Sequence, residues 1–126
     1  LWNGHVGLMV EKLVQDYPID SCKRVLDLGA GEGDNGLFLA AQNFTVLMID
    51  SAPTAKAHFE KKLTSYPSLS PRVRYVTDSV LNFKCDPEEY DIIISYGLLH
   101  CFRTKEDASK VAGNCIDWLK PRGYLV

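Results

Sequence analysis

The chain lacks several features that would assign it early to a functional class. No hydrophobic run approaches the roughly 20 residues of a transmembrane helix, and the first residues, LWNGH, lack the basic and apolar regions of a signal peptide. Lysine and arginine total 14 against 16 acids, so a nucleic-acid surface built on bulk positive charge is excluded, although a local patch is not. We therefore expect a soluble cytoplasmic protein without membrane contact.

The cysteines do not form the spacing of a metal site or a redox motif. The sequence has four of them, Cys22, Cys85, Cys101 and Cys115, and no two are separated by two residues. Zinc ligation and thioredoxin-like chemistry both use such C-x-x-C pairs. We expect reduced thiols that pack as small apolar groups, and no metal.

What is present is the composition of an ordinary globular domain. The 126 residues are 46% hydrophobic and 24% charged, and they contain no repeat or linker. We expect a single domain over residues 1–126. The chain does not begin with Met and its last residues resemble the start of a strand, so we expect it to be a fragment of a longer protein.

Hydrophobic periodicity alternates between the period of a helix and that of a buried strand. The pattern predicts an amphipathic helix over 3–17, ended by Pro18. Strands are predicted at 24–28, 44–50, 73–77 and 90–95, with a fifth that begins at 124–126. A loop is predicted at 65–71, and turns at 84–89 and 121–123.

Three further helices are expected between these strands. Asp34 or Asn35 can cap the first, and Ser51 the second, with Pro53 in its first turn. Thr104 and Asp107 resemble a capping box for a third helix that ends near residue 120. Alternating strands and helices predict an α/β fold, a doubly wound parallel sheet of the Rossmann-like type with strand order 3-2-1-4-5. Ligands bind such sheets at the switch point between strands 1 and 4.

The strongest local pattern is VLDLGAGEG at residues 25–33. Glycines directly after a buried strand permit a tight turn and close approach of the backbone to a ligand. The overlapping pattern G-x-G-x-x-G at 31–36 also fits a nicotinamide dinucleotide. Glu32 and Asp34 would then place carboxylates beside the pyrophosphate, and Asp27 adds a third, so a cationic ligand without phosphate is favoured.

In these residues the chain resembles the class I S-adenosylmethionine (SAM)-dependent methyltransferases. Residues 25–33 are similar to the first motif of that family, and Asp50 and Asp78 to the acids of its second and third motifs. Residues 90–100 resemble its strand-4 motif, and residues 119–126 its turn into strand 5, with Arg122 where a glycine is commoner. The resemblance implies two more C-terminal strands, 6 and 7, which this chain lacks.

The resemblance also implies roles for the glycine loop. Gly29, Ala30 and Gly31 would lie against the methionine part of SAM, and Asp27 would act on its ammonium group directly or through water. Ser95 would offer its backbone carbonyl to the same ammonium. The glycines alone are equally compatible with a tight turn that has no ligand.

The adenosine half of SAM would be held by the next two strand ends. By the same resemblance, Asp50 accepts hydrogen bonds from both ribose hydroxyls, with Ser51 and Ala52 near the adenine. Asp78 would accept from the adenine amino group, with Ser79 beside it. Taken alone, Asp50 also fits a helix cap and Asp78 an ordinary turn.

The implied activity is transfer of the SAM methyl group to a small-molecule acceptor by in-line displacement, with S-adenosylhomocysteine (SAH) as the product. His100 is the candidate base, since its ordinary pKa lies near neutrality, although a purely structural histidine is an open alternative. No Asn/Asp-Pro-Pro-Tyr sequence follows strand 4, which disfavours nucleic-acid bases as acceptors. Two alternatives stay open, an NAD(P)-dependent oxidoreductase and a non-catalytic SAM-binding or interaction domain. The sequence leaves the oligomeric state undetermined.

Overall fold

The centre of the molecule is a five-stranded parallel sheet with the strand order β3-β2-β1-β4-β5. The computed structural model describes residues 4–16, 23–96 and 98–126. In this part of the chain the strands are Arg24–Leu28 (β1), Thr45–Asp50 (β2), Val73–Thr77 (β3), Tyr90–Ile94 (β4) and Leu119–Leu125 (β5). The order confirms the prediction and places the switch point between β1 and β4.

Helices connect most of the strands. They are α1 (Leu8–Asp16), α2 (Asp34–Ala41), α3 (Pro53–Leu63) and α4 (Lys105–Trp118), with the 3₁₀ helices η1 (Pro67–Arg72) and η2 (Leu99–Cys101). The connection from β3 to β4, residues 78–89, contains turns but no helix. No helix among the described residues is long and apolar enough to cross a membrane.

Two apolar cores lie on opposite faces of the sheet. One joins α1, α2 and α3 to the sheet through residues such as Leu13, Leu37 and Phe59. The other is formed with α4, through Val111, Cys115 and Trp118. Because both faces are covered, β1 and β4 are buried along nearly their whole lengths, and their near-continuous apolar sequences follow from this.

The N-terminal helix is shorter than the sequence predicts. It begins at Leu8 and not at Asn3, since residues 4–7 are not helical; Asn3, Tyr17 and Pro18 themselves lie outside the described residues. Gly7 makes the boundary, because its carbonyl accepts the N–H groups of Val10 and Glu11. Its own N–H donates to Asn35 Oδ1 at 2.9 Å, so it is tied to α2.

The predicted side-chain caps of α2 and α3 are wrong. Gly33, with a φ of 84°, occupies the N-cap of α2, and Asp34 and Asn35 follow it inside the helix. Ala52 and not Ser51 is the N-cap of α3, although Pro53 does stand in its first turn as predicted. In both cases no side chain of the cap residue satisfies the first free N–H groups.

Two predicted irregular stretches are more ordered than expected. Most of the predicted loop 65–71 is η1, which runs from Pro67 to Arg72. The predicted turn at 121–123 lies inside β5, which begins at Leu119 opposite Tyr90 and shifts register before Tyr124 pairs with Ile92. Arg122, with a φ of 66°, absorbs the shift. The sequence pattern detects this bend but not the hydrogen bonds on its N-terminal side.

Candidate functional site

The predicted ligand residues meet at the carboxyl edge of the sheet. Asp27, Asp50 and Asp78 lie at or next to the ends of β1, β2 and β3, which are parallel neighbours. The loop after β1 is fastened to β2, since the N–H groups of Gly29 and Ala30 donate to the carbonyl of Ile49 at 2.8 and 3.0 Å. The structure therefore brings the three acids and the glycine loop together.

Asp50 is the residue that joins the parts of this site. Its Oδ2 accepts the N–H of Gly31 at 2.9 Å, and its Oδ1 accepts the N–H of Ala52 at 2.9 Å. One carboxylate thus holds both the glycine loop and the start of α3. Each carboxylate oxygen has two lone pairs, so both retain the capacity to accept a ligand hydroxyl.

The glycine loop requires left-handed backbone conformations at two of its predicted contact positions. Gly29 and Gly31 have φ angles of 70° and 55°. A Cβ on Gly29 would approach Leu98 Cδ1 within 2.8 Å, so this position is closed by packing as well as by conformation. A Cβ on Gly31 would meet no atom within 4 Å, so space remains open beside the loop at this residue.

Tyr75 is a site residue that the sequence analysis missed. It is buried in the middle of β3, stacks on Phe59 and donates its hydroxyl to the carbonyl of Gly31. Burial, together with the charges of Asp50 and Asp27, raises the pKa of this hydroxyl, so it stays protonated and can donate. The available signal was a tyrosine in a buried strand, because a buried tyrosine hydroxyl normally finds a partner.

Asp27 is buried, with only 2% of its surface exposed. Its Oδ2 has no hydrogen-bond partner among the described residues. Burial first, and the nearby charge of Asp50 second, raise the pKa of Asp27 to about 7. A buried acceptor without a partner is costly, and this one stands directly before the glycine loop, where a cationic ligand would relieve the cost.

Glu32 and Asp34 pair with side chains of α3, whereas the sequence led us to expect that their charges would act on the ligand. Lys62 of α3 pairs with Glu32 at 2.8 Å and with Asp34 at 3.0 Å, and His58 contacts Glu32 at 2.9 Å. The hydrogen bonds from Lys62 and His58 lower the pKa of Glu32. These two acids tie the loop to α3, so they give little support to the exclusion of a pyrophosphate. The preference for a cation then depends on Asp27 and Asp50.

Asp78 and Ser79 continue the site beyond β3. The N–H of Asp78 donates to the carbonyl of Asp50 at 3.0 Å, which fixes the two acids side by side. Asp78 Oδ1 accepts the N–H of Ser79 at 2.7 Å, and Ser79 Oγ accepts that of Leu81 at 3.2 Å. Among the described residues Asp78 Oδ2 has no hydrogen-bond partner, and Ser51, which follows Asp50, is exposed.

The loop after β4 forms the opposite wall. Ser95 is buried, and its carbonyl accepts the N–H of Leu98, so it retains one lone pair for a ligand. Leu98 contacts Gly29, which places this loop against the glycine loop. Tyr96, half exposed, lies against Gly7, so the N-terminal segment reaches the same wall.

His100 makes no hydrogen bond or ion pair with Asp27, Asp50 or Asp78. It is exposed in η2, two residues after Leu98, and makes no hydrogen bond with the described residues. Its assignment as a base stays a prediction.

The fold and this edge define a class of protein. A doubly wound parallel sheet with a glycine loop at its switch point is a nucleotide- or nucleoside-binding domain. A carboxylate at the end of β2 suits ribose hydroxyls, and the unpartnered buried carboxyl in β1 suits a positive charge.

The family follows from comparison with known proteins. Residues 25–123 match the family described as a methyltransferase domain. The chain belongs to this family, the class I SAM-dependent methyltransferases, whose cofactor is SAM. A comparison with curated proteins finds no significant match.

Solved structures with the same fold are numerous. A candidate SAM-dependent methyltransferase from Listeria monocytogenes is 26% identical with a TM-score of 0.72, and the match covers 90% of this chain and 51% of that one. A candidate sarcosine dimethylglycine methyltransferase from Galdieria sulphuraria is 24% identical, with a TM-score of 0.75 and coverage of 93% and 43%. The glycopeptide N-methyltransferase MtfA, complexed with SAM, is 19% identical, with a TM-score of 0.77 and coverage of 93% and 52%. The chain thus spans about half of each relative or less.

Proposed function

We propose that this chain binds SAM at the carboxyl edge of its sheet and serves methyl transfer to a small-molecule acceptor. The observation that carries the proposal is the Asp50 carboxylate, which fastens the glycine loop and α3 while it retains free lone pairs. This arrangement positions one acid for a ribose with the loop backbone on one side of it. The match to the methyltransferase domain supports the same ligand.

Each part of SAM would have a complementary group in this site. Asp50 would accept the ribose hydroxyls, with Ser51 and Ala52 alongside, and Asp78 with Ser79 would receive the adenine. Gly29, Ala30 and Gly31 would lie along the methionine part. The open space beside Gly31 supports this placement, because the N–H of Gly31 donates to Asp50, the acid that would hold the ribose.

The ammonium group has two acceptors in this scheme. Asp27 Oδ2 is buried and unpartnered in the described part of the molecule, so ionisation of Asp27 is stabilised when a cation approaches it. The Ser95 carbonyl is the second acceptor, since its hydrogen bond with Leu98 uses only one lone pair.

Bound SAM supplies an electrophilic methyl group on a sulfonium. The chain's own contribution is to orient the ligand and to exclude water, because alignment of the reacting atoms supplies much of the rate in such a transfer. We assign His100 to proton removal where the acceptor begins protonated, from its place in the loop after β4. The folds shared with sarcosine and glycopeptide methyltransferases support a small acceptor.

The cofactor test is calorimetric titration of the chain with SAH, and with NADH as the comparator. We expect SAH to bind and NADH not to bind. Asp50→Asn and Asp78→Asn should each weaken SAH by about tenfold or more, since each removes a charge-assisted hydrogen bond. Asp117→Asn, an exposed acid on α4, is the matched control and should leave the affinity unchanged.

The outcomes separate the alternatives. Tight NADH binding without SAH binding would overturn the proposal in favour of an oxidoreductase. Equal SAH affinity in Asp50→Asn, Asp78→Asn and Asp117→Asn would show that the ligand binds elsewhere. If the full-length protein binds SAM but transfers no methyl group to a panel of small acceptors, and His100→Ala behaves in the same way, the domain is a non-catalytic SAM-binding module.

A further inference from the structure

A cavity lies at the edge of the sheet opposite the glycine loop. It has a volume of about 250 Å³ and is formed by the amino ends of β1, β2, β3 and β4. Three arginines line it, Arg24, Arg72 and Arg74, together with Glu89 and Tyr90. We call it the arginine cavity. It is independent of the SAM site, which uses the carboxyl ends of the same strands.

In the described part of the chain, the cavity lies on a side of the sheet that the β3-to-β4 connection does not cover with a helix, and its only helical lining is the end of η1 at Pro71 and Arg72. The connection from β3 to β4 contains turns but no helix. Its apolar residues pack against the core that is formed with α4. Arg74 is paired in register with Leu47, whose side chain contacts that same core, so both face the side on which the β3-to-β4 connection has no helix. The exposure of Arg74 and Thr45 at this end follows from the open face.

The charges of the three arginines are compensated unequally. Arg24 Nη2 donates to Glu89 Oε1 at 2.8 Å, and its guanidinium lies 5.2 Å from the centre of the Tyr90 ring. Among the described residues, Arg72 donates only to the neutral carbonyl of Asn43, at 2.9 Å. Arg74 makes no hydrogen bond or ion pair with any residue that the structure describes. The cavity wall therefore carries two uncompensated positive charges in a chain whose formal net charge is −2.

We propose that the arginine cavity binds the phosphate group of a small phosphomonoester. Guanidinium groups bind phosphate oxygens bidentately, and a dianion matches the two uncompensated charges of Arg72 and Arg74. The Arg24–Glu89 pair fixes the third wall and leaves those two groups to the ligand. The apolar residue Leu47, on the same face as Arg74, also lines the cavity, so it accommodates a short carbon skeleton beyond the phosphate itself.

The test is calorimetric titration with glycerol 3-phosphate, inorganic phosphate and glycerol, in a phosphate-free buffer. We expect glycerol 3-phosphate to bind and glycerol not to bind. Arg74→Gln should weaken the phosphate ester by about tenfold or more, because it removes a charge-assisted bidentate contact. Lys110→Gln, which removes one positive charge from an exposed position of α4, is the matched control and should change the affinity less than about twofold.

Comparison of glycerol 3-phosphate with inorganic phosphate shows whether the cavity recognises a phosphate ester or the phosphate group alone. Tighter binding of glycerol 3-phosphate than of inorganic phosphate supports the ester, whereas equal binding with the same Arg74 dependence supports a site for the phosphate group alone. Arg72→Gln, with circular dichroism to verify its fold, is the second variant and should also weaken binding. The proposal is overturned if neither probe binds at millimolar concentration, or if Arg74→Gln and Lys110→Gln lose affinity equally. SAH titration of Arg74→Gln should match the parent, so failure here is separable from failure of the SAM site.

Discussion

Two side chains, those of Asp50 and Tyr75, hold the backbone of the glycine loop through hydrogen bonds. Asp50 accepts the N–H of Gly31, and Tyr75 donates to the carbonyl of the same residue. The peptide groups on both sides of Gly31 are therefore fixed before any ligand arrives. Preorganised donors and acceptors bind more tightly because less ordering remains to be done on association.

Tyr75→Phe should reveal this positioning role. The change removes one hydrogen bond and leaves the ring on Phe59, so we expect a loss of about 1 kcal/mol in the free energy of unfolding. SAH affinity should fall several-fold, since the loop is less constrained. Tyr90→Phe, which alters a buried tyrosine at the other edge of the sheet, is the control. Unchanged SAH affinity in Tyr75→Phe would show that the glycine loop needs no such support.

Asp27 should make cofactor affinity depend on pH. Its pKa is about 7 in the free protein because of burial and of Asp50, and a bound ammonium would lower it. Below pH 7 ligand binding must then release a proton, so SAH should bind roughly tenfold more tightly at pH 8 than at pH 6. Calorimetry of the parent and of Asp27→Asn measures this, and the dependence should flatten in the variant. A parent profile that is equally flat would contradict a direct role for Asp27.

At the scale of elements, the helices begin in two different ways. Those that border the site, α2 and α3, have no capping side chain at the N-cap, and Asp50 instead satisfies the N–H of Ala52. The helix remote from the glycine loop, α4, has an ordinary cap, because Thr104 Oγ1 accepts the N–H of Asp107 at 3.1 Å. The caps expected for α2 and α3, which border the site, were therefore wrong. The cap expected for α4 was confirmed.

Thr104→Ala should destabilise the protein through α4 alone. Loss of the cap leaves the N–H of Asp107 without that partner, and we expect a decrease of about 1 kcal/mol in the free energy of unfolding, measured with urea. Ser109→Ala, at an exposed position inside the same helix, should change this value by less than about 0.5 kcal/mol. SAH affinity should stay at the parent value in both variants. An equal loss of stability in the two would refute the capping role.

For the whole molecule, the buried acid couples the stability of the ligand-free fold to pH. The pKa of Asp27 is higher in the folded chain than in the unfolded chain, so the folded state binds more protons between about pH 4 and pH 7. The contribution of Asp27 to stability is complete below the unfolded pKa and is lost as the pH rises through about 7. The loss corresponds to roughly 4 kcal/mol at most.

Urea unfolding at several pH values tests this coupling. The difference in unfolding free energy between the parent and Asp27→Asn should shift in favour of the variant as pH rises from 5 to 8. Asp117→Asn, the exposed control, should follow the parent. Saturation with SAH should reduce the advantage of the variant, since the ligand stabilises the ionised acid. A constant difference across the pH range would show that Asp27 does not titrate there.

The sequence by itself determined the five strands, their order and the edge at which Asp27, Asp50 and Asp78 would lie. It could do so because strands buried on both faces need continuous apolar runs, and parallel connections allow few topologies. The glycine spacing at 29–33 likewise reports backbone conformations that other residues rarely adopt.

Only the tertiary structure decided which partners the polar groups take. Lys62 neutralises Glu32 and Asp34 from a helix 28 residues or more along the chain, and Tyr75 of β3 reaches Gly31 past β2. The left-handed Arg122 inside β5 and the arginine cavity also arise from packing between distant segments. Periodicity records which face of an element is buried, but a hydrogen bond or ion pair between distant residues depends on distances that exist only after the sheet has assembled.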